Sequence, residues 1–171
     1  MITKINTNIP SQTNKKIINQ LFCTRQWSFA HDDPHASINL KDNGLAIVTH
    51  DLDNSHTPNE ILNVYAGIIF DMIQKNTVIK FKTIQRYYWN WYNPSSTGTC
   101  FHQDDVRDDR YSIIYNLHTN DGGTIFEINN QEKFEKSIES EAIIFPSKIR
   151  HMGVAPKENF HRFNLNIITQ I

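Results

Sequence analysis

The sequence lacks an excess of charge of either sign. Its 171 residues include 17 lysines and arginines against 18 aspartates and glutamates, which gives a formal net charge of -1 at pH 7. Proteins that hold nucleic acid through its phosphates usually carry a basic field. The balance therefore argues against nucleic acid as a partner, although a local basic groove is compatible with it.

Long apolar runs are also missing. The chain starts Met1-Ile2-Thr3-Lys4 without the apolar core of a secretory signal. No later stretch approaches the roughly 20 apolar residues that a membrane-spanning helix needs. We expect a soluble, cytoplasmic protein with no membrane partner.

Cysteine is scarce, and the two that occur, Cys23 and Cys100, are far apart. This spacing favours reduced thiols, packed as small apolar side chains, over a disulfide framework. Internal repeats, low-complexity tracts and linkers are absent as well. The length and composition fit one domain over residues 1–171.

Two helices are predicted in the first half of the chain. The first is capped by Ser11 and runs to about Phe22, with an apolar face of Ile17, Ile18, Leu21 and Phe22. The second follows the capping box Thr57-Pro58-Asn59-Glu60 and ends near Lys75. Its apolar face is predicted to be Ile61, Tyr65, Ile68 and Met72.

Strands are predicted in the remaining segments. Residues 25–56 read as strands, including Leu45 to Thr49, joined by polar turns at Asp32-Asp33-Pro34 and Asn43-Gly44. From Thr77 an aromatic-rich run reaches Tyr92, and every later element is short and β-like. The charged segment from Lys133 to Glu141 is interpreted as a solvated loop or hairpin.

This order of elements predicts an α+β domain with a sandwich or jelly-roll second half. Residues 1–80 would support residues 81–171 with helices and strands.

A His-x-Asp pattern occurs twice, and alone it proves little. His31-Asp32-Asp33 has no partner motif behind it, whereas His102-Gln103-Asp104 is followed by a strand, a Gly-Gly turn and His151 just after another strand. Strand ends that meet at the mouth of a sandwich can bring such residues together. Two imidazoles and one carboxylate suit Fe(II) with open coordination positions, whereas structural zinc more often takes thiolates. His102, Asp104 and His151 are therefore the candidate metal ligands and catalytic residues.

Arg162 begins an alternating strand that would place Arg162, Asn164 and Asn166 on one face and Phe163, Leu165 and Ile167 on the other. An arginine that points into a barrel needs an anion, and its planar fork fits a carboxylate. A surface salt bridge is the alternative interpretation.

Together, these residues resemble the prolyl 4-hydroxylase-like branch of the Fe(II)/2-oxoglutarate-dependent dioxygenases over about residues 84–170. The shared features are the Tyr-x-Pro approach at Tyr92, the His-x-Asp motif, Gly122-Gly123, the strand before His151 and an Arg-x-x-Leu motif at Arg162. The resemblance implies a double-stranded β-helix, the cupin-like jelly roll, with N-terminal supporting helices.

The resemblance also implies roles for single residues. His102, Asp104 and His151 would bind Fe(II), Arg162 would bind 2-oxoglutarate, and Tyr92 would lie against this cosubstrate. Two positions depart from the pattern: Asn116 stands where relatives often present a tyrosine hydroxyl, and Asn164 where some place a serine. Both asparagines stay candidates for cofactor binding, because an amide can hydrogen-bond a carboxylate.

The implied activity is hydroxylation of an unactivated C–H bond, with 2-oxoglutarate and O2 as cosubstrates, succinate and CO2 as co-products, and ascorbate as a candidate reductant. The expected substrate is a prolyl or other amino-acid side chain in a peptide or protein, or a small molecule. Candidate substrate contacts flank the proposed mouth: Arg86, Tyr88, Asn90 and Arg107.

Two neighbouring activities are disfavoured by single residues. Ile168 stands where demethylases of alkylated bases carry a second arginine, and Asp104 is the carboxylate that halogenation would require to be absent. Trp89 and Trp91 are predicted to pack in the core, away from Tyr92.

Two other classes stay open. One is a cupin-like metal-binding or sensory module without 2-oxoglutarate turnover, and the other is a structural jelly-roll interaction domain. The sequence predicts no oligomeric state.

Overall fold

The computed structural model describes residues 1–25, 27–29, 45–51, 59–94, 98–158 and 161–171. The predicted turns at Asp32-Asp33-Pro34 and Asn43-Gly44, the motif at His31, and the capping-box residues Thr57 and Pro58 lie outside these ranges. In chain order the described elements are β1 (Thr3–Asn6), α1 (Ser11–Cys23), β2 (Ser28–Phe29), β3 (Leu45–Asp51), α2 (Glu60–Lys75), β4 (Thr83–Tyr92), β5 (Arg110–Asn116), β6 (Gly123–Ile128), β7 (Gln131–Lys136), β8 (Glu141–Pro146), β9 (His151–Val154) and β10 (Arg162–Gln170).

The strands form two antiparallel sheets. The larger has the order β1-β8-β5-β10-β4-β3-β2, and the smaller has the order β7-β6-β9. A core cluster made of Ile114 and Phe145 from the larger sheet and Phe126 from the smaller one lies between them. The predicted jelly-roll fold with supporting helices is confirmed.

The outer face of the larger sheet packs against the two helices. Trp89, Tyr115 and Leu165 lie in this second core with Ile17 of α1 and Ile69 of α2. Alternation along each strand sends the neighbouring side chains to the inner face, which the smaller sheet covers in part. Helix packing therefore stabilises the sheet from outside and leaves its inner face available for a site.

The predicted core packing of both tryptophans is confirmed. Trp89 is fully buried, and Trp91 stacks on Phe163 with ring centroids 5.6 Å apart.

Helix α1 begins differently from the prediction. Pro10 occupies the cap position with an extended backbone, and no side chain caps the helix. The carbonyl of Pro10 accepts hydrogen bonds from the amides of Thr13 and Asn14. Ser11 is thus the first helical residue rather than the cap, because the proline holds the extended conformation that a cap requires.

Helix α2 is capped by Asn59, whose Oδ1 accepts from the Leu62 amide at 3.1 Å, and it ends at Lys75 as predicted. Its predicted apolar face was right only in part, because Tyr65 and Met72 pack partly buried against the core. The buried residues are Leu62, Ala66, Ile69 and Ile73, whereas Ile61 and Ile68 of the predicted face are about half exposed, at 53% and 47%. The helix is apolar on most sides, so packing against the sheet, rather than hydrophobicity, selects the buried stripe.

Two further predictions concern the start of β4 and the structure of the charged segment from Lys133 to Glu141. Strand β4 begins at Thr83 rather than at Thr77, and the charged segment contributes β7 to a hairpin with β6. Among the described helices, neither has the length and hydrophobicity needed to cross a membrane.

Candidate metal centre

The backbone brings the two candidate histidine ligands side by side. His102 lies in the connection between β4 and β5, and it forms an isolated antiparallel bridge with His151 at the start of β9. The amide of each residue donates to the carbonyl of the other, at 3.0 and 2.9 Å. Their ring centroids are 4.5 Å apart.

Both imidazoles direct Nε2 toward Asp104 and Nδ1 toward a backbone carbonyl. His102 Nδ1 lies 2.9 Å from the Cys100 carbonyl oxygen, and His151 Nδ1 lies 2.9 Å from that of Ile149. A carbonyl oxygen only accepts, so each Nδ1 carries a proton, and in a neutral imidazole Nε2 then keeps the lone pair that can bind a metal. This arrangement is typical of histidines that ligate a metal through Nε2.

Asp104 completes the cluster. One carboxylate oxygen lies 3.6 Å from His102 Nε2 and the other 3.6 Å from His151 Nε2. One ligand atom from each residue lies within 4.8 Å of those of the other two. Asp104 and His151 are buried, whereas the His102 side chain is 27% exposed, so the cluster opens to solvent on the side of His102.

The electrostatics favour the protonation states that a metal requires. Burial lowers the pKa of His151 below its ordinary value, although Asp104 opposes the shift. Burial alone would raise the pKa of Asp104, but the neighbouring rings of His151 and His102 outweigh burial and hold that pKa below its usual range. At neutral pH the centre therefore offers a neutral imidazole at His151 and an ionised carboxylate at Asp104, donor types that suit Fe(II).

Arg162 is fully buried at the start of β10, on the strand face that also carries Asn166, the hydrogen-bond partner of Asp104. Its Nη2 donates to Thr124 Oγ1 at 3.1 Å and its Nη1 to the Val154 carbonyl at 3.5 Å, while Nε has no hydrogen-bond partner among the described residues. Burial lowers the pKa of Arg162 to about 10, so the group stays charged at neutral pH. A buried guanidinium without a carboxylate partner in the described part of the chain fits the anionic end of a ligand.

A row of three asparagines crosses the inner face of the larger sheet. Asn164 of β10 lies opposite Asn116 of β5 and Asn90 of β4. Asn90 Nδ2 donates to Asn164 Oδ1 at 2.9 Å, and Asn116 Oδ1 accepts from Ser137 Oγ at 3.1 Å. Asn116 Nδ2 is buried without a partner in the described residues, so it is available as a second donor to an anion. Asn164 thus has a direct neighbour in Asn90, and cofactor binding by Asn116 and Asn164 stays a prediction.

Tyr92 packs on the arginine. The Arg162 guanidinium carbon lies 5.1 Å from the centre of the Tyr92 ring. The tyrosine fits closely against Gly153 of β9, where an added Cβ would come within 2.6 Å of the hydroxyl oxygen. Glycine at position 153 therefore leaves room for the Tyr92 ring beside Arg162, and contact of Tyr92 with a cosubstrate stays a prediction.

The remaining predicted contacts lie on β4 and in the connection that follows it. Arg86 places its guanidinium carbon 5.1 Å from the Tyr88 ring centre, on the same face of β4. Tyr88 donates its hydroxyl to Asp104. Arg107 is exposed and binds the carboxylate of Asp105. A substrate role for these residues and for Asn90 stays a prediction.

Sequence reasoning missed Thr124. Its hydroxyl accepts from Arg162, and it comes from the smaller sheet directly after Gly122-Gly123. The glycine pair was the signal in the sequence for a close approach of two backbone segments next to Thr124. An added Cβ on Gly123 would lie 2.2 Å from the Glu135 carbonyl oxygen. A lone threonine after such a turn carries no signal for arginine contact.

Comparison with known proteins adds to this geometry. No protein-family model and no curated protein matches the sequence, but solved structures do. A prolyl-4-hydroxylase from Pseudomonas putida superposes with a TM-score of 0.70 at 10% identity, over 99% of this chain and 92% of that one. The chain has the fold of the prolyl hydroxylases.

Two further structures agree. A prolyl hydroxylase from Trichoplax adhaerens, in complex with a peptide of the hypoxia-inducible-factor oxygen degradation domain, gives a TM-score of 0.72 at 14% identity, over 99% of this chain and 83% of that one. The viral collagen prolyl hydroxylase of Paramecium bursaria Chlorella virus-1, in its 2-oxoglutarate complex, gives 0.63 at 13%, over 99% and 96%. The prolyl hydroxylase-like fold expected from the sequence is thus confirmed.

Proposed function

We propose that the protein is an Fe(II)- and 2-oxoglutarate-dependent oxygenase that hydroxylates a prolyl or other amino-acid side chain in a peptide or protein. One observation carries the proposal: Arg162 is a buried cation without an anionic partner in the described residues, on the barrel face that also holds the His102, Asp104 and His151 cluster. A metal site alone would not require it. A dicarboxylate that reaches from the metal to the arginine accounts for both features.

The residues would share the work as follows. His102, Asp104 and His151 would hold Fe(II) and leave positions on the metal open. When bound, iron with 2-oxoglutarate and O2 supplies the oxidising chemistry, in which the keto acid becomes succinate and CO2 and one C–H bond becomes C–OH. Arg162 would bind the far carboxylate, with Thr124 orienting its guanidinium.

Other side chains would keep this cosubstrate in place and dry. Asn116 Nδ2 is a spare buried donor, and Tyr92 covers one side of Arg162. The ring of His151 packs against Phe126 and Phe145, with centroids 5.9 and 4.8 Å away. These rings exclude water from the inner side of the centre, so substrate would approach from the side of His102.

The peptide complex of the Trichoplax adhaerens enzyme supports a peptide or protein substrate for this chain. We propose Arg86 and Asn90 as substrate contacts, and ascorbate as a reductant that would return the iron to its ferrous state. Residues 81–171, which contain the centre and Arg162, would carry the chemistry, and residues 1–80 would brace the sheet.

The proposal is tested by adding Fe(II) and 2-oxoglutarate to the protein without oxygen and recording the visible spectrum. A metal-to-ligand charge-transfer band is expected, and Asp104→Ala should abolish it. Arg162→Met should raise the half-saturating 2-oxoglutarate concentration on the order of 100-fold, since charge-assisted hydrogen bonds contribute about 1.5–3 kcal/mol each. Arg25→Met, at an exposed arginine after α1, is the matched control and should change nothing.

A folded, iron-loaded protein without the band would contradict the oxygenase and favour the metal-binding or sensory module. Succinate production that depends on 2-oxoglutarate would exclude that module. Metal content that is unchanged in His102→Ala and His151→Ala would instead favour a structural interaction domain.

A further inference from the structure

Two side chains on neighbouring strands hold the carboxylate of Asp104. Tyr88 of β4 donates its hydroxyl to Oδ1 at 2.9 Å, and Asn166 of β10 donates from Nδ2 to Oδ2 at 3.3 Å. The same Nδ2 also donates to the Tyr88 hydroxyl oxygen. The three groups close a ring of hydrogen bonds in which both carboxylate oxygens have a donor.

The direction of each hydrogen bond in this ring is fixed by chemistry. A carboxylate only accepts, a phenol has a single proton, and an amide nitrogen only donates. If Asn166 were turned round, its oxygen would face the carboxylate and the ring would open.

The pairing of the two strands also fixes where the two donors lie relative to each other. Tyr88 and Asn166 are direct partners in the register of β4 and β10. Asp104 itself lies in a connection, where its amide donates to the Ser147 carbonyl at 3.1 Å. This bond fixes the backbone at Asp104 but not the side-chain torsions, which the two donors on the strands can fix.

We propose that Tyr88 and Asn166 are positioning residues that orient Asp104 for metal binding, with Oδ1 toward His102 and Oδ2 toward His151. The proposal rests on the metal centre of the proposed function. It gives Tyr88 a task within the protein, because its hydroxyl proton is committed to Asp104 rather than to a substrate. Mutation of a residue that hydrogen-bonds a metal ligand typically lowers the metal affinity by about 10- to 100-fold.

The test compares neighbouring tyrosines of one strand. Tyr88→Phe removes the donor, and Tyr87→Phe removes a hydroxyl from the opposite face, where Tyr87 lies in the helix-side core. Mn(II) binding is measured by calorimetry, and the visible spectrum of Co(II) reports the geometry around the metal. We expect Tyr88→Phe to weaken Mn(II) binding by at least about tenfold and to alter the Co(II) bands, while Tyr87→Phe leaves both unchanged.

Asn166→Leu, which keeps a similar volume without donors, should act in the same direction as Tyr88→Phe. Unfolding of the metal-free variants in urea separates positioning from a general loss of stability. If both variants bind Mn(II) like the unaltered protein with the same Co(II) spectrum, the positioning role is wrong, and the metal centre stands. If the unaltered protein itself binds no Mn(II), the metal centre and the positioning role are both wrong.

Discussion

The two faces of β10 lie on one backbone but in different surroundings. Phe163, Leu165 and Ile167 point outward into the core formed with the helices. Arg162, Asn164 and Asn166 point inward, toward Thr124, Asn90 and Asp104 respectively. Because the strand hydrogen bonds are shared, any difference between the faces comes from the side chains.

The inner face holds polar atoms that the described residues leave unsatisfied. Arg162 Nε, Asn116 Nδ2 and Asn166 Oδ1 are all buried without a hydrogen-bond partner there, and on the outer face of β4 the Trp89 nitrogen shares that condition. Each such atom costs free energy of folding. The outer face therefore stabilises the domain, whereas the unsatisfied polar atoms of the inner face lower its stability and are available to a ligand.

The largest effect should separate neighbouring residues on β10. Leu165→Ala should lower the free energy of unfolding by about 2–5 kcal/mol, since it leaves a cavity in the fully buried helix-side core. Asn164→Ala removes one hydrogen bond, that with Asn90, and should cost about 1 kcal/mol. Urea denaturation of the metal-free proteins measures both, and equal losses would contradict the division between the faces.

A smaller effect should appear at the cosubstrate side of the inner face. Gly153→Ala would bring a Cβ within 2.6 Å of the Tyr92 hydroxyl, so the ring must shift, and we expect the shift to weaken its contact with Arg162. A desolvated cation–π contact is worth about 1–2 kcal/mol, which predicts a roughly tenfold loss of 2-oxoglutarate affinity with Mn(II) binding retained.

Gly67 of α2 provides the matched control, because an added Cβ there meets nothing within 4 Å. Gly67→Ala should leave the affinity unchanged and raise the unfolding free energy by about 0.5–1 kcal/mol. An unchanged affinity in Gly153→Ala would show that Tyr92 does not contribute to the site.

The smallest effect concerns pH. Burial and the nearby charge of Arg162 lower the pKa of His118 below its ordinary 6.5, against the opposing hydrogen bond to the His161 carbonyl. The folded protein therefore binds fewer protons than the unfolded chain, and His118 costs stability as pH falls through 6.5. His118→Gln should show a shallower loss of unfolding free energy between about pH 7.5 and 5.5 than the unaltered protein. Parallel curves would mean that His118 titrates alike in both states.

Features with a strong local pattern were predictable from the sequence. Alternation along β10 assigned Arg162 and Asn164 to one face and Leu165 to the other, as the structure has them. The positions of His102, Asp104 and His151 relative to the β-like segments predicted that the three residues meet, and the structure has them in one cluster. Both predictions depend on strand geometry, which repeats every two residues.

Features decided by tertiary packing were not. Helix α2 has two apolar stripes of similar hydrophobicity, and contact with the sheet buries the one with Leu62 and Ala66. The contacts of Thr124 with Arg162 and of Tyr88 with Asp104 join segments far apart in sequence. They depend on how the two sheets face each other and on how the His102 connection folds back over β4, which no local pattern encodes.

The pairing of β10 has a consequence for ligand length. This strand is bonded to β4 along its length and to β5 from Asn164 onward. Arg162 and Asn166 are four residues apart, so their Cα atoms are separated by roughly 13 Å. Neither can slide relative to the other without breaking those ladders, and Asn166 binds the carboxylate of Asp104. Under the proposed function, the register of one strand would set the number of methylene groups that a keto diacid needs to reach both ends of its site.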